Sequence, residues 1–207
     1  TNDNDLANKV RLIRNHGEAV IRTNNVEDLS NILGHNFRLG EMEAAIARQQ
    51  LNKLSDFINT RQIAAKRLRE GLQDLDGLLL PKVSYECTHV YYVFGMILNN
   101  SLTSKNRNLI VSALKAEGVP ALYSGYQNIH LNPLFLNRIA YGTKSFPWKG
   151  LVEGDSKIFY KKGLCPVAEK LHNQTFIGIG LCHHFYTNKE VDLIIDSFHK
   201  VWKGLNL

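Results

Sequence analysis

The sequence predicts an α/β protein: a short N-terminal helix, one very long helix, and a compact α/β sandwich after it. Two observations carry this prediction. Apolar residues recur in steps of three, four and seven, at Met42, Ala45, Ile46, Leu54, Phe57, Ile58, Ala65, Leu68 and Leu72. No Gly or Pro interrupts the segment from Glu41 to Glu70, and this is the stripe of an amphipathic helix. From residue 78 onward the order reads strand, helix, strand, loop, helix, strand, helix, as a layered α/β domain requires. At 1.5 Å per residue the long helix would span roughly 45–50 Å, enough to serve a body at each end.

In chain order, the Asn/Asp-rich start at Thr1–Asp5 suits a helix cap. Asp5–Asn15 follows as a helix with Leu6, Val10 and Ile13 expected inward, stopped at His16-Gly17. Ala19–Asn31 reads as irregular and polar, and Gly34–Gly40 as a turn opening the long helix. Asp74-Leu75-Asp76-Gly77 is turn chemistry and places a domain boundary near residue 73, giving 1–72 and 73–207. His89–Leu98 predicts a strand, its Tyr91–Phe94 aromatics filling core. Ser104–Glu117 predicts a helix with Leu109, Ile110, Ala113 and Leu114 inward and Gly118 as its stop. Val119–Tyr123 predicts a further strand. Ser124–Cys165 is long and poorly periodic, as functional loops often are. A short helix over Pro166–His172, a strand over Phe176–Leu181 and a final helix from Thr187 through Trp202 complete the chain. Val191, Ile194, Ile195, Phe198 and Val201 line the inward face of that last helix.

The totals narrow the class. With 207 residues, 44% hydrophobic and 21% charged, the chain is ordinary for a globular protein with one large or two small domains. No apolar run approaches the roughly 20 residues of a membrane span, and the first residues lack the pattern of a signal peptide. Three cysteines outside CxxC spacing read as reduced thiols in the cytoplasm. The net charge of +6 is scattered, without an aromatic-rich recognition motif, which argues for small anions or an acidic partner rather than nucleic acid. Cys165, His172, Cys182, His183 and His184 fit no compact zinc spacing, so no metal is expected.

Three stretches together resemble a known family. They are TNDNDLANKVRLIRNHG at Thr1–Gly17, GHNFRLGEMEAAIARQQLNKL at Gly34–Leu54, and Asn128-Ile129-His130-Leu131-Asn132-Pro133. The Asn-x-Arg-x-x-Glu-x-x-Ala-Ala pattern from Asn36 to Ala45 is the most specific part. The chain resembles the DegT/DnrJ type of sugar aminotransferase, strongly to about residue 72 and loosely beyond. The resemblance implies the C-terminal part of a fold-type-I aminotransferase: the end of the large domain, a long linking helix and a small α/β sandwich. It also implies pyridoxal 5′-phosphate as cofactor, glutamate or glutamine as amino donor, and a keto-sugar, usually nucleotide-linked, as acceptor in amino-sugar or polysaccharide biosynthesis. A homodimer is expected.

The family's Schiff-base lysine lies upstream of the segment matching TNDNDLA. No lysine here sits in the matching setting, Lys105 in SLTSK included. No catalytic residue is therefore assigned, and the 207 residues alone are expected to be inactive. The alternative is a non-catalytic remnant or an interaction subunit completed by a separate N-terminal polypeptide.

Asn36 corresponds to the family residue that reaches the cofactor phosphate of the other subunit; a helix cap is its plainer reading. Arg38 suits a phosphate or carboxylate, or equally a structural pairing with Glu41 or Glu43. His130 corresponds to a substrate-side histidine, and with Tyr123 and Tyr126 it suits a sugar hydroxyl or the amino-acid carboxylate. His16 either contacts substrate or favours the helix dipole at its position. The apolar faces of Leu6, Val10 and Ile13 and of Met42, Ala45 and Ile46 are expected to need cover from elsewhere, a second copy included.

Overall fold

The computed structural model describes residues 1–17, 32–99, 106–142, 145–149 and 159–207. Their contacts divide into two compact units, Thr1–Ser55 and Asp56–Leu207. The irregular stretch expected over Ala19–Asn31 lies outside the described residues, as do Ser104 and Lys105.

In the first unit, α1 (Asn4–Arg14) starts where Asp3 accepts the Leu6 N–H at 2.9 Å, the cap its Asn/Asp lead forecasts. His16 and Gly17 then take positive φ, 61° and 75°, and turn the chain. The returning strand passes close against this turn. His16 N–H donates to His35 O at 3.0 Å, His35 N–H to Ile13 O at 2.8 Å, and Phe37 N–H to Arg14 O at 3.0 Å. The expected inward face of α1 is corrected. Leu6, Val10 and Ile13 are exposed and Leu12 is buried; Leu12 lies at the helix end where the chain turns back, its carbonyl taking the Gly17 N–H at 2.8 Å. At the front of α2 (Glu41–Leu72), Met42 and Ile46 are also exposed.

In the second unit the rest of α2 packs with a four-stranded antiparallel sheet of order β1 (Leu78–Leu79), β2 (Phe94–Leu98), β4 (Phe176–Ile179), β3 (Leu122–Tyr123). Period-two alternation assigns the faces. Phe94 pairs with Ile179 and Met96 with Ile177, and all four are buried with Leu68, Leu72, Ile110, Leu114 and Phe198 in one core. On the opposite face Gly95 pairs with Gly178 and Ile97 with Phe176. A Cβ on Gly178 would lie 2.6 Å from Val93 and 3.0 Å from the Phe176 ring, which explains glycine in the middle of a strand. α6 (Asn188–Leu205) begins with a Thr187/Glu190 capping box and buries Val191, Ile194, Phe198, Val201 and Trp202. Arg67 of α2 clasps Asp192 of α6 through two bonds, 2.6 and 2.8 Å. The unit so defined takes in part of α2 along with everything after residue 73.

Two further expectations are corrected. β2 begins at Phe94, not His89, because Tyr91 adopts a φ of 47° and its N–H turns to His89 Nδ1 at 2.8 Å. Tyr91 and Phe94 are buried, whereas Tyr92 is exposed. α3 (Arg107–Ala116) is capped by Asn106, and its inward stripe is Arg107, Ile110, Val111 and Leu114, with Leu109 exposed. Those four positions follow the i, i+3, i+4, i+7 spacing of one helix face. The stretch 124–165 carries local structure of its own: a 3₁₀ turn at Ile129–Leu131, α4 at Pro133–Leu136 and a bridge between Tyr141 and Phe146. α5 (Pro166–Lys170) runs into a wider turn, Leu171–Thr175, before β4. No helix among the described residues is long and apolar enough to cross a membrane.

Candidate functional site

In the first unit, Asn36, Arg38 and His16 meet where the two chain segments cross. The crossing needs glycine twice. A Cβ on Gly34 would sit 2.0 Å from the Gly17 nitrogen, and one on Gly17 would sit 2.0 Å from the Ile32 carbonyl oxygen. This close approach brings Asn15 opposite Asn36. The Arg38 guanidinium donates to Asn15 Oδ1, and its second terminal nitrogen lies 3.5 Å from His16 Nε2. Arg38 therefore pairs with Asn15 and His16, not with Glu41 or Glu43. Asn36 Oδ1 accepts the Arg38 backbone N–H at 3.4 Å, leaving the amide nitrogen of this exposed side chain as a donor. Asn15 is 7% exposed, and its Nδ2 has no partner among the described residues. The result is a guanidinium and two amide donors just ahead of the α2 N-terminus, a set suited to an anion.

In the second unit, the 122–131 segment carries Tyr123, Tyr126 and His130. Tyr123 Oη bonds to His183 Nε2, and Gly180 makes room for both. Tyr126 is exposed. His130 Nε2 meets Glu169 Oε1 at 2.9 Å, and both side chains are about nine-tenths buried. The Glu169 carboxyl is held below its ordinary range first by the His130 hydrogen bond. Backbone N–H groups of Gly163 and Cys165 add to this, while burial opposes it. Nearby, Arg107 donates to His172 O at 2.5 Å, and its guanidinium is pushed down by burial. His130 also forms part of the wall of a cleft of about 450 Å³ shared with Ile129, Phe135, Tyr160 and Ala168.

The DegT/DnrJ/EryC1/StrS aminotransferase family matches residues 1–149. The chain belongs to this family. A dTDP-3-amino-3,4,6-trideoxy-alpha-D-glucose transaminase of Micromonospora megalomicea subsp. nigra is 29% identical over 180 residues, 85% of this chain and 40% of that protein. The spore coat polysaccharide biosynthesis protein SpsC of Bacillus subtilis is 23% identical over 153 residues, 71% of this chain and 39% of SpsC. The chain thus spans about two fifths of these relatives. Among solved structures, an aminotransferase from Psychrobacter cryohalolentis has a TM-score of 0.73 at 21% identity, covering 100% of this chain and 51% of that one. DesV from S. venezuelae has a TM-score of 0.68 at 23% identity, covering 97% and 45%. These structural likenesses establish a shared mixed α/β fold.

Within this DegT/DnrJ-family chain, sequence reasoning missed Asn15 and Glu169. Asn15 carried one usable signal, its place directly before His16-Gly17. Glu169 stands in the first turn after Pro166, where a carboxylate favours free N–H groups. Its pairing with His130, 39 residues away, left no local signature.

Proposed function

We propose that this chain supplies the C-terminal part of a pyridoxal-phosphate-dependent aminotransferase that moves an amino group from glutamate or glutamine to a keto-sugar of the nucleotide-linked kind. The observation that supports it most directly is the donor set at the chain crossing. Arg38 and Asn36 present a guanidinium and an amide, with Asn15 Nδ2 unpartnered behind them. These groups fit the phosphate of the cofactor, which when bound supplies an electron sink for the reaction. In this reading Arg38 and Asn36 bind and orient the phosphate, and His16 steadies Arg38 and contacts substrate. Tyr123, Tyr126 and His130 are contacts to the sugar. Residues 1–72 form the end of the cofactor domain with the linking helix, and 73–207 the small domain. The enzyme acts in the cytoplasm as a homodimer. Exposed Leu6, Val10, Met42 and Ile46 support a partner surface, and a strictly monomeric complete protein in light scattering would refute the dimer.

No lysine of this chain is given the covalent role. Borohydride reduction of the complete protein with pyridoxal phosphate, followed by peptide mapping, should label a lysine outside these 207 residues. A label on any lysine within them overturns the assignment. Arg38→Ala should weaken cofactor binding by about ten- to a hundredfold, the equivalent of one charge-assisted hydrogen bond. Asn36→Ala should cost about tenfold. Spectroscopic titration of the complete protein with cofactor reads both, and unchanged dissociation constants would sink the phosphate site.

A further inference from the structure

Glu169 is 7% exposed, and a single oxygen of it takes three hydrogen bonds. His130 Nε2 lies at 2.9 Å, Gly163 N at 2.7 Å and Cys165 N at 3.4 Å. An ionised carboxylate only accepts. The two backbone groups are obligate donors, so the His130 nitrogen facing the same oxygen must carry its proton too. A neutral imidazole has one N–H. In the neutral ring with Nε2 protonated, Nδ1 is left with a lone pair, and among the described residues it makes no hydrogen bond. The cleft that His130 helps to line is bordered by Ile129, Phe135, Tyr160 and Ala168 and also by Gln127, Asn128 and Cys165, with the Phe135 and Tyr160 rings 5.2 Å apart. In this mixed lining a ring nitrogen that only accepts favours a donor over another acceptor, because a polar group left without a partner is costly.

We propose that Glu169 is a positioning residue for His130: it fixes the Nε2–H form, so that Nδ1 accepts a hydrogen bond from a hydroxyl of the sugar in this cleft. The inference rests on the reading of His130 as a substrate contact. It also divides the two alternatives for that histidine. A lone-pair nitrogen takes a hydroxyl donor, whereas the carboxylate of an amino-acid donor, itself only an acceptor, finds no partner there. At this nitrogen the His130–Glu169 pair therefore favours a sugar hydroxyl over the donor's carboxylate.

Two readouts test this on the complete protein. With ¹⁵N-labelled histidine, long-range proton–nitrogen spectra report the tautomer of His130, assigned by the signal lost in His130→Gln. The unaltered protein should show the Nε2–H form. Glu169→Gln, whose carboxamide can donate as well as accept, should show a mixture. A ring protonated on Nδ1 in the unaltered protein, whether neutral or doubly protonated, overturns the inference, whether or not the variant folds. In kinetics, Glu169→Gln should raise KM for the keto-sugar about tenfold, the equivalent of one hydrogen bond, and leave KM for the amino donor and cofactor affinity unchanged. Equal rises for both substrates overturn the specific role. A complete protein that shows the Nε2–H form yet transaminates no sugar overturns the proposed function, and the hydroxyl contact with it. Transamination with an Nδ1–H ring overturns this inference alone.

Discussion

Gly34→Ala should abolish cofactor binding at working concentrations while leaving the second unit folded. The new Cβ would meet the Gly17 nitrogen at 2.0 Å and the His16 carbonyl carbon at 2.5 Å. Both neighbours are backbone, so no side-chain rotation relieves the clash, and the two segments must part. Parting them breaks the His16–His35 and His35–Ile13 bonds and takes Arg38 away from Asn15. The expected loss exceeds that of Arg38→Ala alone, because Asn36 and Arg38 are displaced together. Cofactor titration measures it, and near-ultraviolet circular dichroism checks the second unit. Binding at the unaltered affinity would show that the crossing does not position the phosphate donors.

Phe198→Ala should destabilise the second unit by about 3–5 kcal/mol, the cost typical of emptying a well-packed aromatic site. Phe198 is 0% exposed and stacks on Trp202 at 5.8 Å. Trp202 Nε1 in turn donates to the Asp76 carbonyl at 2.9 Å, so the cavity would open beside the contact that ties α6 to the turn before β1. Leu193→Ala on the same helix is the control. Leu193 is 57% exposed, and its truncation should cost less than about 1 kcal/mol. Urea unfolding of both variants gives the comparison. Equal losses would mean that the inward stripe of α6 is not the one described.

What was legible in the sequence was set by rules that act over three or four residues. The start of α6 followed from Thr187, and its buried face from the spacing of Val191, Ile194, Phe198 and Val201. The reach of α2 followed from thirty residues without Gly or Pro. The β2 start was misjudged because β-propensity is blind to a single left-handed residue such as Tyr91. On α1, Leu6, Val10, Leu12 and Ile13 all offer apolar surface, and periodicity does not say which of them a returning strand will cover.

The site divides the same way. The sequence by itself determined the family pattern from Asn36 to Ala45, the residue types that can hold an anion, and the loop histidine. Tertiary structure decided that Arg38 is held by Asn15 and His16 and that His130 is held by Glu169. Those pairings join residues 22, 23 and 39 positions apart. Local propensity carries no information over such separations; the partner is chosen by which backbone segments pack closely enough to exclude water.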